Sequence, residues 1–277
     1  MGREENNRQF RKPLFTAKKQ RSLVSPQFAR RLLPFDLGVH LSILIIVLSG
    51  MFAGVLSGII GTGSSIILLP ILVTVFGTKA AIPIMAIAAL IANCGRVIVW
   101  WSEINWHAVF FYAVPSIPMA ALGANLLIAI PESVGSTILG LFFLVLIPVR
   151  YLLRSRNIGS KPAHLVLGGT LIGFLTGLVA SSGPLSLAVF SSFGLVKSAL
   201  IATEAAASLF VFGSKAATFS YLNVMNTDIL IGGALVGGSI TLGTYAAKAI
   251  LNKLSSKQHD RMIDLMLAGS GISMIMP

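Results

Sequence analysis

The chain has 277 residues, 55% of them hydrophobic and 11% charged, with a mean hydropathy of +0.86; this lies outside soluble globular composition and excludes a disordered chain. A crossing needs roughly 20 apolar residues, so about eight apolar segments fit after the first forty residues and leave no room for a soluble catalytic domain. The net charge of +12 is no signal for nucleic acid, because the stretch up to Gly38 alone holds nine basic and three acidic residues and later cations cluster where hydrophobic runs end.

Residues 1–38 form a basic, Asn/Gln-rich tail interrupted by Pro13, Pro26 and Pro34, expected to be flexible and cytoplasmic. A secretory signal would carry its apolar core nearer Met1, and a transit peptide would avoid Glu4 and Glu5. Asn6 stands where a myristoylation signal needs Ser or Thr. Hydrophobic runs are then predicted at residues 40–60 with a continuation at 66–76, and at 80–101, 108–130, 134–153, 165–193, 198–220, 229–250 and 262–276. The expected class is an all-α polytopic membrane protein, with a first membrane repeat at 39–153, a basic linker at 154–163 and a second repeat at 164–277. The single cysteine, Cys94, reads as a small helix residue.

The repeat is written in the residues. An offset of 119 places Gly54-Val55-Leu56-Ser57-Gly58 on Gly173-Phe174-Leu175-Thr176-Gly177, and with a drift of one or two residues Phe76-Gly77 matches Phe193-Gly194, Lys79 matches Lys197, Gly95 matches Gly213, Ile104-Asn105 matches Leu222-Asn223 and Leu122-Gly123 matches Leu242-Gly243. Two homologous four-segment repeats are the mark of a duplicated transporter, with a site at the repeat interface. Four crossings per repeat would make the halves parallel and put Arg150, Arg154, Arg156 and Lys161 on the tail's side, but would send Lys248, Lys253, Lys257 and Arg261 to the other. A re-entrant broken segment, and with it an inverted arrangement, stays open.

The first and fifth runs are longer than one crossing needs, and both are interrupted, by Gly61-Thr62-Gly63-Ser64-Ser65 and by Ser181-Ser182-Gly183-Pro184. Unwound backbone inside a bilayer survives only where protein or water satisfies it. Pro184 suits the first turn of a new half-helix, and two half-helix N-termini facing each other would make an anion site. Gly61, Thr62, Gly63, Ser64, Ser65, Ser181, Ser182 and Gly183 are therefore candidate substrate-binding residues, the serines as hydroxyl donors. Gly54 and Gly58 also suit close helix packing.

Gly54-x-x-Ser57-Gly58-x-x-Gly61-x-Gly63 followed by Pro70-Ile71-Leu72, with Gly173-x-x-Thr176-Gly177 leading to Ser182-Gly183-Pro184-Leu185, resembles the TauE/SafE sulfite exporter family over about residues 49–275. The resemblance implies eight segments in two homologous halves and transport of sulfite, sulfonates, related organosulfur compounds or other small organic anions. The chain departs from the family pattern where a glycine triplet is usual, at Gly61-Thr62-Gly63-Ser64 and Ser181-Ser182-Gly183, and it has Val189 where the first half has Pro70.

Ionisable groups inside apolar runs are costly and face protein or water by default. Arg96 and Lys215 hold nearly matching places in the two halves and are candidates either to meet an anion or to snorkel to one interface; Arg96 has the planar fork suited to a sulfonate or carboxylate. Glu204 is the acid well inside an apolar run and is the candidate proton carrier. Asn93 could add a pocket donor, as could Thr203. His107, beside Trp101 and Trp106, and His164 read as interfacial anchors, while Glu103 and Asp228 fall in short loops. No metal-ligand spacing and no Walker-type loop occur, so no cofactor is expected and ATP is disfavoured as the energy source. The expected function is secondary-active transport of a small anion by alternating access. The expected partners are that anion, the lipid bilayer and a co-transported proton or cation, with no nucleic acid. The alternatives are a passive anion channel and an intramembrane serine hydrolase using Ser64, Ser182 or another buried serine with His107 or His164 as base.

Overall fold

The computed structural model describes residues 37–61, 63–155, 161–179, 182–247 and 256–275. Among them are ten α-helices: α1 (Leu37–Ile60), α2 (Ser64–Phe76), α3 (Thr78–Val99), α4 (Trp106–Ala129), α5 (Glu132–Ser155), α6 (Pro162–Leu178), α7 (Gly183–Ser192), α8 (Lys197–Tyr221), α9 (Thr227–Ala247) and α10 (Ser256–Ile275). The protein is all-helical, as the apolar runs predict, and α3, α4, α8 and α9 are each long and apolar enough to cross a membrane. Residues 1–36, which hold most of the basic tail, lie outside the described residues.

Each interrupted run becomes two helices. At the first interruption Gly61 has φ +86° and Gly63 φ +119°, a left-handed backbone that residues with a Cβ adopt at a cost. At the second, Pro184 sits in the first turn of α7, where its missing N–H is no loss. The repeating unit therefore has five helices, α1–α5 and α6–α10, where the hydropathy profile marks four segments.

Glycine contacts fix the helix directions. Along α1 and α9, Gly50 meets Ser239, Gly54 meets Ile240 and Gly58 meets Ala247, so the two helices run parallel. Along α4 and α6, Tyr112 meets Gly169, Ser116 meets Gly173 and Ala120 meets Gly177, again parallel. These contacts are close: a Cβ on Gly54 would lie 2.2 Å from the Ile240 carbonyl oxygen, and one on Gly177 2.2 Å from that of Ala120. The approach of small residues brings backbones together where hydrocarbon offers no hydrophobic drive. Gly50, Gly54 and Gly58 sit 119 residues before Gly169, Gly173 and Gly177, so the same stripe is used twice, as the packing alternative for Gly54 and Gly58 anticipates.

The remaining directions follow. Gly233 meets Ile87, Gly237 meets Ala88 and Ile91, and Gly95 meets Thr241, so α3 and α9 are parallel. The Asn105 N–H donates to Thr203 Oγ1 at 3.0 Å and the Ser214 hydroxyl to the Ile117 carbonyl at 2.7 Å, so α4 and α8 are parallel. Arg96, late in α3, meets Glu204, early in α8, and Trp100 packs with Ile201 and Ala202, so α3 and α8 are antiparallel. Thus α3 and its repeat counterpart α8 run in opposite senses. The halves are inverted about an axis in the membrane plane, which is the open alternative above and replaces the parallel four-crossing count.

Because α1 and α3 share one direction and Arg96 near the end of α3 reaches Gly61 at the end of α1, α2 must turn back between them. At 13 residues it is about 20 Å long. With α2 returning, the end of α5 and the start of α6 lie on the face opposite the start of α1, and so does the end of α9. The parallel count, which put the linker on the tail's side, therefore fails for the helices that flank it: the end of α5, the start of α6 and the end of α9 share one face, opposite the start of α1. Local capping agrees with these boundaries: Asn105 accepts from the Ala108 N–H at 3.0 Å and Asn226 from the Ile229 N–H at 2.9 Å. Asn226 thus plays in α9 the part that Asn105 plays in α4, a role the sequence match of Asn105 to Asn223 does not predict.

Candidate anion-binding site

Both breaks open on one buried cavity between α3 and α8. Its lining includes Ser64 and Ser65 at the N-terminus of α2, Ser182 and Gly183 at the N-terminus of α7, and Asn93, Arg96 and Glu204. Each N-terminus carries N–H groups without intrahelical acceptors and a partial positive charge. The two ends are brought there by the same device in opposite senses, α2 returning from α1 and α7 from α6.

Arg96 is the cation of this cavity. Its Nη1 donates to the Gly61 carbonyl at the end of α1 and lies 3.7 Å from Glu204 Oε2, while its buried Nε has no partner. Glu204, only 3% exposed, accepts from the Ser186 hydroxyl at 2.9 Å and from Ser208 at 2.8 Å, both on Oε1. Asn93 lies one turn before Arg96 on the same face of α3, and its buried Oδ1 has no partner. Ser64 and Ser65 are buried.

Lys215 is placed differently. It is fully buried, but it does not line the cavity; its ammonium donates to the Thr176 carbonyl at 2.8 Å and to the Val179 carbonyl, at the end of α6, and lies 5.7 Å from the Phe219 ring centroid. Arg96 and Lys215 are 119 residues apart, and each binds carbonyls at the end of its own half's first helix. Neither snorkels to an interface. Among the predicted residues, Gly61, Ser64, Ser65, Asn93, Arg96, Ser182, Gly183 and Glu204 come together, Gly63 forms the turn beside them, and Thr62 and Ser181 lie outside the described residues.

Four polar residues of this site were not among the sequence candidates: Tyr112, Thr176, Ser186 and Ser208 all line the cavity, beside the apolar Ala89, Val211 and Phe212. Thr176 Oγ1 and Ser182 Oγ are hydrogen-bonded to each other. In the first half, Ser57 matches Thr176 but Gly63 stands for Ser182, and the buried Ser57 hydroxyl has no partner. The helical spacing of Ser208 four residues after Glu204 was the one available signal. His107 is exposed at the start of α4, the rings of Trp101 and Trp106 meet edge-on at 5.3 Å, and no histidine is among the described residues lining the cavity.

Inverted halves whose broken helices meet at a buried polar site define a class, that of membrane transporters. Residues 46–274 match the family model described as sulfite exporter TauE/SafE, and the chain belongs to that family of membrane transporters. It is 25% identical over 259 residues to the probable membrane transporter protein YjnA of Bacillus subtilis strain 168, covering 83% of this chain and 98% of the relative. No solved structure matches the chain.

Proposed function

We propose that the protein is a secondary-active carrier of a small anion, namely sulfite, a sulfonate or a related organosulfur or organic anion, moved by alternating access around the central cavity. The observation that carries this reading is Arg96: a buried guanidinium with a spare Nε, set among the N-termini of two half-helices and held by one carboxylate. A tetrahedral oxyanion can take two N–H groups of such a fork at once. The cavity offers about 20 Å³, room for about one water, so an anion of several heavy atoms enters only when helices move. That is the behaviour of a carrier, not of a standing pore.

Glu204 supplies the coupling. While ionised it balances Arg96 at 3.7 Å; when it takes up a proton, Arg96 loses that counter-ion and its charge becomes available to the substrate. Proton uptake and anion binding then favour each other. The substrate-binding set is Gly61, Thr62, Gly63, Ser64, Ser65, Asn93, Arg96, Ser181, Ser182 and Gly183, with Lys215 acting from one side.

The test is uptake of radiolabelled sulfite, taurine, sulfoacetate and acetate into proteoliposomes, with and without an imposed pH gradient. Saturable, gradient-driven uptake with counterflow is expected for at least one sulfur anion, and Arg96→Gln should abolish it. Glu204→Gln should retain exchange but lose the response to the gradient; full gradient-driven uptake in this variant would remove Glu204 from the mechanism. Absence of uptake for every anion by folded protein would overturn the reading.

We further propose a bacterial plasma membrane location with the N-terminus in the cytoplasm, supported by the nine basic residues before the first helix to be inserted. The ends of α5 and α9 then lie outside, so the charge of the tail, nearest the first helix, prevails over the basic residues that follow those two helices in the sequence.

A further inference from the structure

The two halves each end their third helix in the same way. Arg96 is followed one turn later by Trp100, and Lys215 one turn later by Phe219, at an offset of 119. Since α3 and α8 are antiparallel, the two pairs point to opposite faces. Trp100 packs against Ile201 and Ala202 at the start of α8, one turn beyond Arg96. Phe219 lies beside the matching residues at the start of α3, Ile82 and Pro83, and with them lines a second cavity of about 50 Å³ on the face where α1 begins. Between this cavity and the central one stands Lys215, bonded to the Thr176 carbonyl on the central side and stacked over Phe219 on the other.

We propose that Arg96 with Trp100 and Lys215 with Phe219 are the two gates of the transport cycle, one at each face, and that an anion leaving Arg96 passes to Lys215 on its way to the face where α1 begins. This rests on the carrier reading above. The geometry gives each gate two parts: an aromatic plug, and a cation one turn deeper that anchors the plug's helix to the end of the first helix of the same half. An arriving anion competes with those carbonyls for the cation. Losing that anchor frees the end of the third helix, and with it the plug. Trp100 and Phe219 are both buried, so the structure is shut at both plugs, and the Phe219 end borders a void into which its plug could move.

The gates can be tested without any substrate. Cys94, the chain's one cysteine, is replaced by Ser, and Ala89→Cys places a thiol on the wall of the central cavity. A membrane-impermeant methanethiosulfonate is then applied from one face at a time, in right-side-out and inverted vesicles. Trp100→Ala should raise the labelling rate at least about tenfold from the face opposite the start of α1 and leave the other unchanged, and Phe219→Ala should do the reverse. Trp100→Leu and Phe219→Leu serve if an alanine variant is not folded, and should give the same pattern at smaller amplitude. Labelling that rises equally from both faces, or from neither, overturns the gates. Face-specific labelling with no anion counterflow would leave the gates standing and sink the anion reading. Counterflow blocked by Arg96→Gln, with labelling indifferent to both aromatics, would do the opposite.

Discussion

Glu204 touches three groups that differ in origin, Arg96 from the other half, Ser186 from α7 and Ser208 from its own helix, and shares the cavity wall with Tyr112. A hydrogen bond to a charged group contributes about 1.5–3 kcal/mol, so Ser186→Ala and Ser208→Ala should each lower stability by about that amount, read as a fall in thermal midpoint in detergent, while Ser192→Ala, whose hydroxyl meets only the Val189 carbonyl in its own helix, should change little. As a lone acid in an apolar run, Glu204 was legible in the sequence. Its partner was not, because Arg96 belongs to a helix of the opposite half and nothing in linear spacing joins them. Thr176, Ser186 and Ser208 were hidden for another reason: a Ser or Thr hydroxyl in an apolar helix is ordinarily satisfied by a carbonyl one turn back, as in Thr176 to Ile172 at 2.7 Å, and only the fold shows which hydroxyls also face a cavity.

Helix pairs carry the energetics of the next scale. The stripe on α1 and its copy on α6 leave no space for a methyl group, so Gly54→Ala and Gly173→Ala force backbones apart and should each cost about 1–3 kcal/mol. Gly213 has nothing within 4 Å of where its Cβ would be, and Gly213→Ala should be neutral or gain up to about 1 kcal/mol from helix propensity. Thermal unfolding of the three variants separates tight positions from open ones. Gly95 and Gly213 match in sequence, yet only Gly95 is pressed against a neighbour, the Thr241 side chain; the repeat predicts position and not contact. Element ends were largely legible from hydropathy. Whether the chain reverses at Gly61 to Gly63 stays open in the sequence, because a glycine-rich gap has the same composition whether the chain runs on or turns back.

Across the whole molecule, inversion is the decisive property. Ser102 follows the third helix of the first half, and Tyr221 is the last residue of the third helix of the second. In the Cys94→Ser background, Ser102→Cys and Val196→Cys should be labelled from one face, and Pro131→Cys and Tyr221→Cys from the other. Parallel halves would bring Ser102→Cys and Tyr221→Cys to the same face, an outcome that would overturn the inverted arrangement. The duplication was legible from matched pentapeptides, but the relative sense of the halves depends on whether each unit has an odd or even number of helices, and one unnoticed turn changes that parity.

The interleaving of the halves also sets a schedule for making the protein. The Thr244 hydroxyl lies 3.4 Å from the Gly54 carbonyl, 190 residues away along the chain. At about 5–20 residues per second, the glycine face of α1 waits roughly 10–40 s on the ribosome before α9 exists to cover it. In that interval the young chain holds a bare small-residue surface in the membrane, open to wrong partners or to a protease. Separately encoded halves, 1–157 and 158–277, should each be degraded when made alone and accumulate when made together, as measured by pulse-chase.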